Sequence, residues 1–173
     1  TYVKCVIDPL QLAAHITVQA PLSRPPEALE SILDEGANFW LLAMTRELED
    51  LILHLRFNLS DIGTWLLYSE GKSEFVELVD KIVFNHSQNW LIREMILYTK
   101  RTFKRLDLSA RSMFALIKPG SCFSGTLFEL ALCADRVYML DGNFEDQKEP
   151  APAIVMTAAN HGYYPMGNEL TRI

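Results

Sequence analysis

The sequence is poor in residues that bind metals or form disulfides. It has three cysteines in 173 residues, and no two of them form a Cys-x-x-Cys pair. Because an odd and widely spaced set gives neither a disulfide framework nor a zinc spacing, we expect a reducing compartment, the cytoplasm, and no metal site. No two histidines stand four residues apart, which also argues against a zinc site. The residues concerned are Cys5, Cys122, Cys133, His15, His54, His86 and His161.

The sequence also lacks a long apolar run and an excess of basic residues. No run approaches the roughly 18 apolar residues that cross a membrane, and the first residues lack the basic and apolar regions of a signal peptide. Lysine and arginine number 16 against 22 acidic residues, which gives a net charge of −6 and a pI near 5.2. Neither a membrane nor a nucleic acid is therefore expected as a partner.

Hydrophobic residues are plentiful, at 49% of the chain, which suffices for the core of one domain over residues 1–173. The chain starts at Thr1 without an initiator methionine and ends at Ile173 without a terminal tail. We therefore expect a single domain that is an internal fragment of a longer protein.

Alternating and helical hydrophobic patterns predict a mixed α/β fold. The predicted strands cover residues 3–8, 14–20, 64–68, 114–117, 137–140 and 153–157, and the predicted helices cover residues 27–35, 37–56, 75–84 and 89–106. The longest helix has an apolar stripe of Leu41, Met44, Leu48, Leu51 and Leu55. Residues 141–152 are acidic and rich in turn-forming residues, so we expect a loop there.

Residues 114–140 carry the most informative pattern, which predicts a strand, a turn, a helix and another strand. Lys118-Pro119-Gly120 ends the first strand because proline and glycine do not fit a strand interior. Ser124 is expected to cap the helix, which would leave the backbone N–H groups near Gly125 and Thr126 free to face a ligand oxygen.

Glu129 lies one turn into that helix, between Phe128 and Leu130. A carboxyl group in apolar surroundings has a raised pKa, which suits a general acid or base. The alternative is a structural carboxylate that pairs with a basic neighbour such as Arg136. Asp135 is expected to be structural, because it ends the helix.

The string Glu129-Leu130-Ala131, with Gly125 before it and Asp135 after it, resembles the signature of the crotonase (enoyl-CoA hydratase) superfamily. The resemblance implies an α/β fold of the ClpP/crotonase type, a spiral of β-β-α units that is truncated here at the C-terminal end. It also implies a coenzyme A thioester as substrate, no metal or redox cofactor, and an oxyanion hole of two backbone N–H groups. It further implies a homo-oligomer, or packing against another domain of the full-length protein.

Four strings are similar to one branch of that superfamily, the benzoyl-CoA-dihydrodiol lyases of aerobic benzoate degradation. They are PGSCFSGTLFELALCADRVYML at 119–140, DIGTWLL at 61–67, LDLS at 106–109 and YPM at 164–166. The resemblance implies hydrolytic ring opening of 2,3-epoxybenzoyl-CoA, which releases formate and 3,4-didehydroadipyl-CoA semialdehyde. The alternatives are an enoyl-CoA hydratase or isomerase, and a non-catalytic crotonase-like half that packs on a partner domain.

By the same resemblance, several residues near the turn are candidate substrate contacts. Gly71 occupies the loop that supplies the second oxyanion N–H in crotonases, although this loop lacks the usual small-Gly-small-Asp pattern. Lys72 beside it is a candidate contact for a coenzyme A phosphate, with a solvated loop lysine as the alternative. Ser121 and Ser124 are candidate donors to the acyl group, with a capping role as the alternative. Cys122 is a candidate substrate contact, with a small buried thiol as the alternative.

Crotonases often carry a second glutamate after the last of these strands, and that position falls at Ala158. An alanine transfers no proton, so His161 is the alternative titrating group in this segment. A basic run on the fourth helix is either a solvated face or a contact for coenzyme A phosphates. Its members are Lys100, Arg101, Lys104 and Arg105.

Overall fold

The computed structural model describes residues 1–142 and 151–173. The strands are β1 (Val3–Asp8), β2 (Ala13–Gln19), β3 (Thr64–Glu70), β4 (Ser112–Ile117), β5 (Phe123–Ser124), β6 (Arg136–Met139) and β7 (Ile154–Val155). The helices are α1 (Leu29–Glu35), α2 (Trp40–Phe57), α3 (Ser73–Asn85), α4 (Trp90–Asp107) and α5 (Gly125–Leu132), with 3-10 turns at Gly36–Asn38 and Ala158–Asn160. The loop predicted over residues 141–152 lies mostly outside the described residues.

Five strands form one sheet in the order β1-β2-β3-β4-β6. The hairpin of β1 and β2 is antiparallel, while β2, β3, β4 and β6 run parallel. Parallel neighbours need a crossover connection, and the helices between β2 and β6 supply it. This alternation produces the mixed α/β fold predicted from the periodicity.

One face of the sheet packs against the helices and forms the core. The inward side chains of the central strands are at most 4% exposed. They are Ala14, Ile16, Val18, Trp65, Leu67, Met113, Ala115 and Ile117. The outward side chains alternate with them along each strand, as the two-residue period of a strand requires.

The buried stripe of α2 differs at one position from the predicted stripe. Ile52 is fully buried, whereas Leu51 is half-buried. A helical period of 3.6 residues allows either residue to follow Leu48 on one face, so packing against the neighbouring α4 decides between them. The two helices also meet through a buried hydrogen bond of 2.9 Å between Thr45 Oγ1 and Thr99 Oγ1.

A second, two-stranded sheet brings the C-terminal segment to the signature turn. Its strands β5 and β7 are parallel, with Phe123 opposite Ile154 and Ser124 opposite Val155. β7 is shorter than the predicted strand over residues 153–157, because its partner β5 has only two residues before α5 begins at Gly125. This pairing places residues 157–160 beside the N-terminus of α5.

Candidate functional site

A buried carboxylate caps the N-terminus of α5. Asp80, on α3, accepts hydrogen bonds from the Thr126 backbone N–H at 2.9 Å and from Thr126 Oγ1 at 2.5 Å. It also accepts one from Thr157 Oγ1 at 2.8 Å. Asp80 is only 2% exposed, so a negative group is enclosed where the helix dipole favours it.

Gly125 allows this close approach. Its φ of +46° lies in the left-handed region, and a Cβ atom there would lie 1.9 Å from Asp80 Oδ2 and 2.8 Å from Thr157 Oγ1. Any residue larger than glycine would therefore displace the carboxylate or the threonine. The glycine of the signature turn is required here by an internal contact.

Burial raises the pKa of Asp80 to about 7, and the negative charge of Glu129 acts in the same direction, whereas the hydrogen bonds from Thr126 and Thr157 act against it. The neutral form has a hydrogen-bond partner. A protonated Oδ1 donates to Thr126 Oγ1, whose own proton then points to the Tyr164 hydroxyl, 3.2 Å away. Tyr164 is also buried, and burial raises its pKa far above the usual value. The Asp80 carboxyl group therefore changes between its neutral and its charged form near neutral pH.

A short turn connects Asp80 with Glu129. Asn160 is 2% exposed, and its Nδ2 donates to Glu129 Oε1 at 2.8 Å and to the Gly125 carbonyl at 3.0 Å. Its Oδ1 accepts from the Thr157 backbone N–H at 3.1 Å, which closes a capping box. The chain of contacts runs from Asp80 through Thr157 and Asn160 to Glu129.

Glu129 forms a buried ion pair with Arg172. The guanidinium Nη1 lies 2.9 Å from Glu129 Oε2 and also donates to the Tyr164 carbonyl. The other edge of the guanidinium binds Asp107 in a bidentate manner, through Nε at 3.1 Å and Nη2 at 2.6 Å. The side chains of Arg172 and Glu129 are 2% and 3% exposed, so this ion pair is away from solvent, whereas the Asp107 side chain is 18% exposed.

Burial raises the pKa of Glu129, while Asn160 and Arg172 lower it and the charge of Asp107 raises it. Desolvation is the largest of these causes. The result is a carboxyl group whose proton affinity is increased and whose two oxygens are fixed by neighbours. Such a group can take up or release a proton without changing its position.

Comparisons with known proteins give the fold and a relative. No protein-family model matches the sequence. An enoyl-CoA hydratase from Geobacillus kaustophilus HTA426 superposes with a TM-score of 0.50 and 14% identity, over 80% of this chain and 46% of that protein. The chain has the crotonase fold. An enoyl-CoA hydratase from Bacillus halodurans superposes with a TM-score of 0.49 and 16% identity, over 79% of this chain and 49% of that protein.

The sequence is similar to a benzoyl-CoA-dihydrodiol lyase from Aromatoleum evansii. The two are 42% identical over 172 residues, which is 99% of this chain. The chain spans 30% of the length of that lyase. The resemblance to this branch of the crotonases, expected from four short strings, is thus confirmed over nearly the whole chain.

Two expectations about the turn of this crotonase-fold chain are wrong. The Thr126 backbone N–H is not free, because it donates to Asp80. Ser124 stands at the N-cap position but makes no capping bond, and its Oγ lies 3.5 Å from Glu77 Oε1 instead. Asp80 reaches the turn from α3 and takes the role that the local sequence assigned to Ser124.

The partner of Glu129 also differs from the expected one. Arg136 is exposed on β6, and Arg172, 43 residues away in sequence, forms the ion pair. From the segment of the expected second glutamate, Asn160 reaches Glu129, while Ala158 and His161 are exposed. An amide that donates a hydrogen bond therefore faces the signature glutamate of this crotonase-fold chain.

The other candidate contacts lie at the ends of β3 and β4. Gly71, with φ +120°, packs on Ala20 and lines a different cleft from Asp80. Ser121 closes the turn before β5, since its Oγ accepts from the Lys118 N–H at 3.0 Å. Cys122 is fully buried, and burial raises its pKa to about 11, so its thiol is neutral at physiological pH.

The basic run on α4 is paired within the chain. Lys100 and Lys104 contact Glu169 at 3.1 and 2.6 Å, and Arg105 binds Glu49 at 2.8 Å. Arg101 lies 3.8 Å from Glu49 as well. These pairs leave less basic charge for a coenzyme A phosphate than the sequence suggests.

Lys72, the other candidate contact for a coenzyme A phosphate, lies over the Phe75 ring, 5.1 Å from its centre.

Asp80, Asn160, Arg172 and Asp107 are the residues of this hydrogen-bonded network that the sequence analysis missed. Each of them binds a network residue more than 20 positions away in sequence, so no local spacing predicts it. One signal was present for Asp80: it is a charged residue between Val79 and Ile82 on the apolar stripe of α3. A buried charge on such a stripe indicates a specific partner.

Residues 1–142 and 151–173 contain neither a cluster of metal-ligating side chains nor a membrane-spanning helix. No group of three or more His, Cys, Asp and Glu side chains in these ranges is arranged to hold a metal ion. No helix in the same ranges combines the length and the apolar character needed to span a membrane.

Proposed function

We propose that the protein containing this chain opens the ring of 2,3-epoxybenzoyl-CoA with water and releases formate. The observation that carries the proposal is the 42% identity over 172 residues to a benzoyl-CoA-dihydrodiol lyase. The crotonase fold supports the coarser part of the proposal, an enzyme that acts on a coenzyme A thioester. The carbon–carbon lyase activity is the finer part, and it rests on the lyase relative alone.

The atoms of this reaction balance with water as the only co-substrate. Two water molecules and 2,3-epoxybenzoyl-CoA give 3,4-didehydroadipyl-CoA semialdehyde and formic acid. One ring carbon leaves with both of its carbon–carbon bonds broken, and the oxygen of the epoxide already supplies the oxidation level of the products. The proposed reaction therefore needs no external oxidant or reductant.

Glu129 is the group proposed to move protons on and off water. Burial raises its pKa, and Asn160 and Arg172 hold its two oxygens at 2.8 and 2.9 Å. Each carboxylate oxygen retains a free lone pair beyond these bonds. The arrangement fixes the orientation of the carboxyl group, which is a requirement for efficient general acid–base catalysis.

An anion on the thioester oxygen needs backbone donors at the turn. Thr126 donates its N–H to Asp80, so Gly125 is the remaining proposed donor of this turn, with Gly71 as the proposed second donor. A ligand anion at Gly125 would face the Asp80 carboxyl group. The neutral form of Asp80, whose pKa is about 7, is the form compatible with that anion because like charges repel.

The test is the stoichiometry of formate and semialdehyde formed from 2,3-epoxybenzoyl-CoA by the natural polypeptide that contains residues 1–173. We expect one formate for each thioester consumed. Crotonyl-CoA serves as the control substrate, since an enoyl-CoA hydratase would hydrate it without formate. If the protein hydrates crotonyl-CoA and releases no formate from the epoxide, it is a hydratase and not a lyase.

A second candidate is a non-catalytic crotonase-like half that packs on a partner domain. The observation that favours it is that the groups of the signature turn bind within the chain: the Thr126 N–H with Asp80, and both oxygens of Glu129 with Asn160 and Arg172. A partner domain would then carry the chemistry. Formate release that is unchanged by Glu129→Gln would favour this candidate.

A further inference from the structure

The outer face of the five-stranded sheet is not covered by the described residues 1–142 and 151–173. The alternate side chains of the central strands point away from the helices and are half-buried or exposed, whereas their inward neighbours are buried. The pairing register aligns Val6, His15, Leu66, Phe114 and Arg136 in one row across all five strands. We call these residues, with Thr17, Tyr68, Leu116 and Tyr138, the outer sheet face.

The outer sheet face is mainly apolar and aromatic. Val6 is 66% exposed and Tyr138 is 55% exposed, and the Phe114 and Tyr138 rings lie 6.2 Å apart. Tyr68 stacks on His15, and Lys118 lies over the Tyr68 ring at 5.4 Å. A contiguous apolar surface of this kind on one side of a sheet indicates a missing contact layer.

The parallel direction of the strands strengthens this argument. Parallel sheets occur almost only where both faces are covered, because their crossover connections place a layer on each side. Here the helices cover one face, while every residue of the edge strand β6 is exposed, including Val137 and Met139 on the helix side. The open surface therefore continues around the edge of the sheet.

We propose that the outer sheet face and the edge of β6 are covered by another segment of the same, longer polypeptide. The relative at 42% identity is more than three times as long as the part this chain matches, since the match covers 30% of it. The crotonase-fold hydratase also extends beyond the match, which covers 46% of it. Both relatives therefore carry the polypeptide needed for a second layer.

The size of the face fits such an intramolecular contact. Five strands spaced about 4.8 Å apart, each with about six residues rising roughly 3.3 Å, give a projected area of about 450 Å². Counted on both partners, this lies within the roughly 600–1,500 Å² of contacts between domains of one chain. The occupant is expected to present an apolar surface to Leu66, Phe114 and Leu116.

The test is cysteine labelling of two reporter variants in the natural polypeptide that contains this chain. Thr17→Cys places a thiol on the outer sheet face, and Glu94→Cys places one on the exposed side of α4. Each labelling rate is normalised to that of the unfolded variant, and peptide mapping separates the reporters from Cys5, Cys122 and Cys133. We expect Thr17→Cys to react at least tenfold more slowly than Glu94→Cys, at all protein concentrations.

Two results would overturn the inference. Equal normalised rates for the two reporters would mean that nothing covers the outer sheet face. Protection of Thr17→Cys that disappears on dilution would assign the face to a second copy of the protein instead. The inference rests on the greater length of the relatives and not on the reaction, so formate release and the labelling result can fail independently.

Discussion

Asp80 is the residue through which pH is expected to act on this fold. It is enclosed by Thr126, Thr157 and Gly125, and burial raises its pKa to about 7. In an unfolded chain the pKa of an aspartate is about 3.9. The folded state therefore binds a proton that the unfolded state has released between these two values, and stability falls as pH rises through this range.

Replacement of Asp80 by asparagine removes this dependence. The amide keeps an acceptor for Thr126 and Thr157 but carries no charge to bury. We expect wild-type protein to lose stability relative to Asp80→Asn as pH rises from about 4 to about 7, with no difference in slope below about 4. Urea unfolding of both proteins at several pH values in this range measures it. Parallel curves would show that Asp80 is ionised in the folded protein throughout.

Gly125 is the residue at which we expect the addition of a single methyl group to lower the free energy of unfolding most. Gly125→Ala places a Cβ atom 1.9 Å from Asp80 Oδ2, in a backbone of φ +46°. Gly36→Ala is a control for backbone strain without a clash, because Gly36 has φ +52° and ψ −114° and no atom within 4 Å of a Cβ. We expect the control to cost about 1–3 kcal/mol of unfolding free energy, the usual cost of a sparsely populated backbone conformation.

Gly125→Ala should cost clearly more than this control in the same denaturant titration, because it also breaks the cap of α5. Equal losses at the two glycines would mean that Asp80 moves aside at no cost. The close approach would then not be the reason for glycine at this position.

Arg172 is the buried charged residue that we expect to stabilise the C-terminal segment most. Arg172→Met leaves the buried Glu129 and the half-buried Asp107 without their common partner, and the loss of a buried pair costs about 3–5 kcal/mol. Lys104→Met, which removes a contact to the exposed Glu169, is the control and should change the urea midpoint much less. A similar small change for both variants would contradict the buried network.

At the scale of elements, helices α4 and α5 differ in where the residue that caps their N-terminus comes from. Asn89 caps α4 through its own side chain, which accepts from the Leu91 N–H at 3.0 Å. Ser124 occupies the same position at α5 but makes no such bond, and Asp80 acts in its place. One helix is therefore capped from its own sequence, and the other is capped from a different helix.

This difference predicts the effect of two alanine substitutions. Asn89→Ala should lower the unfolding free energy by about 1 kcal/mol, the usual cost of losing a side-chain cap. Ser124→Ala should lower it by less, because no capping bond is lost. Thermal unfolding followed by circular dichroism measures both. A larger loss at Ser124 than at Asn89 would show that its contact with Glu77 matters more than the cap.

The elements were largely predictable from the sequence, and the site was not. The strands and helices follow from short-range periodicity, so their ends lie within a few residues of the prediction, as at β3 and α4. The partner of Glu129 comes from Arg172 at the far end of the chain, and the cap of α5 comes from α3. Such pairings depend on the folded topology, which a local pattern does not contain.

At the scale of the whole molecule, two features bear on the proposed cover of the outer sheet face. The sheet has one face packed on helices and one face uncovered by the described residues 1–142 and 151–173. The lyase relative is matched over only 30% of its length. Both features agree with the proposal that another segment of the same polypeptide covers the outer sheet face.

The most direct measurement of the central claim is formate release from 2,3-epoxybenzoyl-CoA by the natural polypeptide and by its Glu129→Gln variant. Glu74→Gln, at an exposed position of α3, is the control, and circular dichroism verifies that each variant is folded. We expect a loss of about a hundredfold or more for Glu129→Gln and no change for Glu74→Gln. No formate from folded wild-type protein would contradict the lyase, and equal rates in all three proteins would remove Glu129 from the mechanism.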